Sequence, residues 1–234
     1  MKKIIYQTLP STQIEANLQL KSILPPFIVM ANIQTAGYGK YGRVWESFEG
    51  NFFATIAVTL NIEHYEFSKL PMLICIKLCS LLSQLTDTKA SFSIKWPNDI
   101  LLNKKKICGI LIEKVDNTFL IGIGINLKRS PDTVNASYAV TNILHETGIL
   151  IEPEKVLDKL SEYFDRFDTA LTKWNFVQLR QTYMALLEGK GQTIKVVMRN
   201  ETVTGQLYDI NNDGALILKL GEENKLIYAA DIFI

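Results

Sequence analysis

Histidine is almost missing: His64 and His145 are the only two among 234 residues. That leaves little room for imidazole acid–base chemistry or for a zinc site built on histidines. Cysteine is sparse too. Cys75, Cys79 and Cys108 form an odd, unpatterned set, which reads as buried thiols in a reducing compartment. Cys75 and Cys79 share a helix face, but with so few histidines they make no metal site, and no metal-ligating residue is predicted. Net charge is nearly nil at +1, so nothing draws the chain globally to nucleic acid or acidic lipid, and neither is expected as a partner. The longest apolar stretch, Met72 to Leu85, contains Lys77 and falls short of the ~20 residues a bilayer needs. Lys2-Lys3 precede only a short mixed run before Pro10, unlike a signal peptide. A soluble, cytoplasmic protein is expected.

Apolar residues, by contrast, are plentiful at 47%, enough for one large domain with a real core and one small one. The most informative stretch is Ser93 to Glu113, SIKWPNDILLNKKKICGILIE. Lys95 ends a short β-type run with Phe92 and Ile94, and Trp96-Pro97 stops it because proline cannot donate to a sheet ladder. Asn98 and Asp99 have turn chemistry. Strands Ile100–Leu102 and Ile107–Ile112 come next, joined by the cationic turn Asn103 to Lys106. A lysine set between a strand end and a Trp-Pro pair is poorly placed as a solvated surface charge. It reads as a cation kept for an anionic ligand.

Lys3 to Thr8 reads as an opening strand. A helix starts at Pro10-Ser11-Thr12, where Ser11 and Thr12 read as caps or as polar groups for a small ligand; Thr12 and Glu15 are spaced as a capping box, and Pro25-Pro26 ends it. Strand Phe27–Ile33 delivers the chain to a glycine-rich segment running from Gln34 through Gly37, Tyr38, Gly39, Lys40, Gly42 and Arg43 to Trp45. The glycines match the dinucleotide fingerprint by letter, but that motif must open a helix. Here it runs instead into turn-like residues 47–51 and a strand from Phe52 to Leu60. The segment is therefore a strand-to-strand loop carrying Lys40 and Arg43, of the kind that folds over an anion or simply lies on the surface. Ser68-Lys69-Leu70-Pro71 opens a core helix to Leu85. In Thr118 to Leu127 one face holds Phe119, Ile121, Ile123, Ile125 and Leu127, and the other Leu120, Gly122, Gly124 and Asn126. The paired glycines admit either a flat group against the backbone or a packed helix. Ser130 to Ala139 reads as a loop and Thr141 to Thr147 as a short helix. Pro153 to Lys173 is an amphipathic helix with Val156, Leu157, Leu160, Phe164, Phe167 and Leu171 inward, and a second helix spans about Phe176 to Leu187. Composition changes at Glu188-Gly189-Lys190-Gly191, giving a boundary between residues 1–188 and 189–234. Beyond it lie four short strands: Thr193–Met198, Thr202–Tyr208, Ala215–Leu220 and Lys225–Tyr228. They read as a small barrel leaning on the larger domain.

Ser11-Thr12-Gln13, the Gln34–Trp45 loop, Lys95 to Glu113, and Gly122-Ile123-Gly124-Ile125-Asn126 occur in the order and spacing that resembles biotin–protein ligase, over nearly the whole chain. Lys95-Trp96-Pro97-Asn98-Asp99 is the most specific piece. The resemblance implies an α+β fold: a mixed β-sheet packed on helices, like the catalytic domain of class II aminoacyl-tRNA synthetases, with a C-terminal SH3-like β-barrel. It also implies that biotin and ATP react with Mg²⁺ to give biotinyl-5′-AMP, and that the biotinyl group passes to one lysine of a biotin carboxyl carrier domain. Ser11, Thr12, Gln34, Lys95, Tyr38, Gly39 and Lys40 fall where the family binds biotin. Trp45, Lys106 and Asn126 fall where it binds the adenylate half. Gln13, Gly37, Gly109 and Gly124 belong to the same motifs and complete the expected binding set. Two anions meet at the α-phosphorus, so cations must neutralise them. Lys95 is the expected bridge, with Lys106 and Arg43 assisting, and Trp45 is placed to stack on the adenine. The family's loop reads Gly-Arg-Gly-Arg followed by another glycine, whereas this chain has Tyr38 and Lys40. Lysine keeps the charge without the bidentate fork and tyrosine keeps neither, which bears on retention of the adenylate. Lys3 already lies in the opening strand, so a ligase without a DNA-reading helix-turn-helix is expected, as monomer or homodimer. A lipoate or octanoate ligase of the same broad fold, and a non-catalytic biotin sensor, are the competing readings.

Overall fold

The computed structural model describes residues 1–60, 69–87, 90–132, 139–165, 167 and 175–233. Two β-rich openings set the frame. β1 (Lys2–Leu9) and β2 (Phe27–Gln34) pair in parallel across the intervening helix α1 (Thr12–Gln19). Every later pairing in the main sheet is antiparallel: β3 (Phe52–Thr59), β4 (Phe92–Lys95), β5 (Asp99–Leu102), β6 (Lys105–Val115) and β7 (Thr118–Ile125) give the order β1-β2-β3-β7-β6-β5-β4. The β5–β6 connection is a two-residue turn. Asn103 and Lys104 both take left-handed φ, 51° and 65°, the turn geometry whose twist matches antiparallel strands.

The sheet's two faces are covered unequally. One packs Ile28, Met30, Phe52, Ala54 and Ile56 against α2 (Lys69–Thr86), which comes after β3, and against α4 (Pro153–Phe164) and α5 (Phe176–Leu186), which lie beyond the short α3 (Ile143–Thr147). Each fully buried Leu, Ile or Phe there contributes about 1.5–3 kcal/mol. α2 is long and apolar enough to cross a bilayer, yet it buries Leu70, Leu73, Ile74, Leu78, Leu81 and Leu82 in this core. Among the described residues the one helix on the other face is α1, whose Ala16 meets Leu9, Phe27, Val29, Ala31, Ala57 and Leu120. The rest of that face is a cavity floor.

Several boundaries differ from expectation. Of the two expected caps, Ser11 serves α1 and Thr12 does not: the Ser11 Oγ accepts from Gln13 N at 3.2 Å. Glu15 turns to Tyr6 Oη and Gln19, so the expected capping box does not form. The helix expected over Pro153–Lys173 is α4, ending at Phe164; Phe167 is buried with it, while Leu171 and Lys173 lie outside the described residues. So do Ser68 at the expected start of α2 and most of the loop expected over Ser130–Ala139.

The C-terminal segment forms a separate antiparallel sheet with order β11-β10-β9-β8-β12, from β8 (Thr193–Val197), β9 (Thr202–Ile210), β10 (Leu216–Leu220), β11 (Glu223–Ile227) and β12 (Asp231–Phe233). The sequence pattern predicts four strands. The fifth, β12, is too short and mixed to stand out by pattern, and it pairs with β8. Ile194, Val196, Leu207, Leu216, Leu218 and Ile232 belong to the same continuous cluster as the main core. Glu188 N donates to Ile94 O at 2.8 Å, and Trp96 Nε1 to Gly214 O at 3.2 Å. This docking brings β12 beside the end of β4.

Candidate active site

Register creates the site. Lys95 on β4, Asp99 on β5, Gly109 on β6 and Gly124 on β7 are successive cross-strand partners, so they share one face. The neighbouring row on that face is Leu111, Gly122 and Thr55. The glycines lower the floor. A Cβ at Gly122 would lie 2.7 Å from Gln13 Oε1, and one at Gly109 or Gly124 would lie 2.7 or 2.6 Å from the Trp45 ring. Both uses of paired glycines therefore occur: α1 packs over Gly122, and the flat indole lies on Gly109 and Gly124. The indole Nε1 is buried with no hydrogen-bond partner among the described residues.

Above this floor is a cavity of about 530 Å³. Ser11, Thr12, Gln13, Gln34, Tyr38, Gly39, Lys40, Arg43, Trp45, Lys95, Lys106, Gly109, Gly124 and Asn126 all line it. Gly37 does not; it sits behind the loop, where a Cβ would strike Trp45 O at 2.8 Å and Gln34 Nε2 at 2.9 Å. At one end, Gln34 Oε1 accepts from Thr12 N at 2.7 Å and Thr12 Oγ1 at 3.1 Å. The Thr55 hydroxyl lies 2.9 Å from Thr12 Oγ1 and 3.0 Å from Gln13 Oε1. Gln13 Nε2 donates to Glu113 Oε2 and Leu120 O. Gln13 is thereby a brace for the wall, with both ends of its amide held inside the protein.

At the other end are the cations. Lys95 is 7% exposed. Burial is the main cause lowering its pKa to about 8, opposed by the Asp99 carboxylate and reinforced by the Lys106 charge. Its Nζ lies 5.9 Å from the Phe233 ring centre. Lys106 Nζ pairs with Asp99 Oδ1 at 2.7 Å and sits 5.3 Å from the Trp45 ring centre. The residues after Lys95 fix its direction. Trp96 bonds the C-terminal sheet, Pro97 O accepts from Tyr183 Oη at 3.2 Å, and Asn98 Nδ2 donates to Ile110 O. What reads as turn chemistry is a clamp from several sides.

The glycine loop is a closed hairpin. Gly39 N donates to Arg43 O at 2.8 Å, and Trp45 N to Gly37 O at 2.9 Å. Tyr41 and Gly42 make the bend with φ of 59° and 70°. Tyr38 Oη lies 3.4 Å from Glu113 Oε2, and burial, then the Glu113 charge, raises its pKa. Lys40 stands exposed at the rim. Arg43 reaches out of the loop to Asp231 on β12. Asn126 is buried, and its Nδ2 donates to Thr141 O at 3.1 Å. Glu146 holds this wall in place, accepting from Asn103 Nδ2 and Lys105 Nζ at 2.9 Å and from Thr141 Oγ1 at 2.8 Å. Those bonds, led by that from Asn103, lower its pKa to about 2.

Sequence reasoning missed Thr55, Asp231 and Phe233 as lining residues. Thr55 shares its strand face with Phe53, and that alternation is the one available signal. Nothing local marks Asp231 or Phe233. Among the described residues no group of three or more His, Cys, Asp or Glu converges to hold a metal. The arrangement suits a ligand with a polar end at Thr12 and Gln34, a negative centre at Lys95 and a planar group near Trp45.

Comparison with known proteins identifies the family. Residues 4–129 match the Biotin/lipoate A/B protein ligase family, and residues 190–234 match the Biotin protein ligase C terminal domain. The chain is 31% identical over 213 residues to a biotin–[acetyl-CoA-carboxylase] ligase of Paracoccus denitrificans, covering 88% of this chain and 89% of the relative. It is 29% identical over 238 residues to the bifunctional ligase/repressor BirA of Bacillus subtilis (strain 168), covering 98% and 73%. In fold it is similar to the biotin protein ligase from Aquifex aeolicus in complex with biotin and ATP, with TM-score 0.80 at 24% identity over 99% and 97% of the chains.

Proposed function

The chain belongs to the Biotin/lipoate A/B protein ligase family, and from that premise we propose how its cavity works as a biotin–protein ligase. The reaction is ATP-dependent activation of biotin to biotinyl-5′-AMP, with later transfer to a lysine of a biotin carboxyl carrier domain. In the first step a biotin carboxylate oxygen bonds to the α-phosphorus and the bond to the β-phosphate oxygen breaks, releasing pyrophosphate. In the second, the acceptor amine attacks the acyl carbon, AMP leaves, and the amine gives up a proton.

The observation that carries the division of labour is Lys95, buried in one row with Asp99, Gly109 and Gly124. An ammonium there faces both the carboxylate and the α-phosphate and stabilises the negative charge that builds between them. Burial disfavours the charged lysine, so the two anions of the bound substrates would favour its ammonium form at the reacting centre. Thr12 and Gln34 offer polar contacts for biotin. The Trp45 indole, lying on Gly109 and Gly124, offers a flat surface for the adenine. The hairpin loop over the cavity keeps water from the mixed anhydride. Mg²⁺ would enter on the triphosphate, and no step here depends on a protein-held ion. Residues 1–188 act as the activating domain and 189–234 as the docked module, in the cytoplasm, with a carboxylase carrier domain as partner.

The test supplies labelled biotin, ATP, Mg²⁺ and a carrier domain, with lipoate in a parallel arm. Label on the carrier lysine with biotin is the expected result. Transfer only with lipoate, or tight biotin binding without pyrophosphate release, would overturn the assignment.

A further inference from the structure

We propose that Asp231, near the C-terminus, is a positioning residue: by holding Arg43 it latches the glycine loop over the pocket and so sets how long the adenylate is retained. This rests on the ligase reading. An acidic side chain lining a cavity for anionic substrates opposes binding unless its charge is taken up by a partner. Asp231 lines the cavity, and Arg43 takes up its charge with both ends of the guanidinium, Nη1 to Oδ1 at 3.0 Å and Nη2 to Oδ2. Two parallel bonds fix direction as well as distance.

The loop is built to aim that arginine. Arg43 N donates to Lys40 O at 3.3 Å and its carbonyl accepts from Gly39, so the backbone at 43 is fixed by the left-handed bend at Tyr41 and Gly42. The Tyr41 ring lies 5.7 Å from the guanidinium carbon. At the other side of the contact, β12 is held by pairing with β8, Asp231 opposite Val197. A surface hairpin therefore meets a sheet strand across 188 positions of sequence. Both side chains are partly exposed, Arg43 at 52% and Asp231 at 36%, so solvent and salt weaken the pair. That suits a latch that must open each turnover for substrates and carrier.

The experiment compares wild type with Asp231→Asn and Asp231→Glu. Adenylate is formed on the protein and chased with unlabelled biotin and ATP, at low and high ionic strength. Asp231→Asn should lose adenylate roughly fivefold faster, the size expected of a partly exposed ion pair, while biotin alone binds about as before. Asp231→Glu should recover much of the difference, and salt should speed loss from wild type but hardly from the asparagine variant. Equal off-rates, or equal weakening of biotin and adenylate, would overturn the latch while leaving the ligase reading intact. Tryptic nicking after Lys40 in the ligand-free proteins gives an independent readout: faster cutting of Asp231→Asn supports the latch, and unchanged cutting opposes it, whether or not the chain makes an adenylate.

Discussion

Replacing Lys95 with methionine should stabilise the ligand-free protein at pH 7 while abolishing pyrophosphate release. The pocket lowers this lysine's pKa from 10.5 to about 8, mainly by burial. At about 1.36 kcal/mol per pH unit, holding the charged form in the empty pocket costs about 3 kcal/mol. Methionine keeps most of the apolar stem, so about 1–3 kcal/mol of that should appear as added stability. The pH dependence fixes the sign. Below pH 8 the lysine is charged in both folded and unfolded states, and the cost is fully present. Between about 8 and 10.5 the unfolded chain binds the extra proton, so wild-type stability rises with pH. Above that range the ionisation cost is gone. Urea unfolding at pH 7, 9 and 10.5 should therefore show the gain of Lys95→Met shrinking as pH rises. A variant less stable than wild type at pH 7, or a gap independent of pH, would refute the argument. So would near-normal pyrophosphate release.

Other expectations are more local. Gly124→Ala should displace the Trp45 indole, since the added methyl would lie 2.6 Å from the ring; tryptophan emission should shift and ATP use should weaken, and an unchanged spectrum would count against the platform. Thr55→Val removes the hydroxyl shared by Thr12 and Gln13, and should cost about 1–3 kcal/mol in unfolding free energy, with weaker biotin binding; full stability would mean the wall repacks freely. Tyr38→Arg places a guanidinium opposite Glu113, where the tyrosine hydroxyl now sits at 3.4 Å, and should slow adenylate loss. An unchanged off-rate would show that the residue at 38 matters little.

Much of this architecture is legible in the amino-acid order alone. The period-two alternation in Thr118–Leu127 puts Gly122 and Gly124 on one face, and both carry a group that a Cβ would strike. The glycine loop reads as a link between two strands because it leads into a strand and not a helix. The odd placement of Lys95 next to Trp-Pro marks it as a buried cation. Other features depend on tertiary partners. Asp231 is one acidic residue in a three-residue strand, and only docking of the second sheet brings it to Arg43. Ser11 caps as its place before the helix suggests, but the Thr12 hydroxyl is drawn into Gln34 and Thr55, a pull no local spacing records. Lys106 is expected as a helper to Lys95, and its pairing with Asp99 depends on the β5–β6 register.

The two sheets share a single hydrophobic interior, and this governs how the gene can be cut. Severing the chain near Lys190 would strip Ile194, Val196, Leu207 and Ile232 from the residues that cover them, and would remove the acceptor for the Trp96 indole. The N-terminal fragment would then present a greasy scar beside the Lys95 cavity. A cut at the exposed Gly221–Glu222 tip would still part Ile227 and Ile232 from this core, so a tag is better inserted there with the chain left continuous.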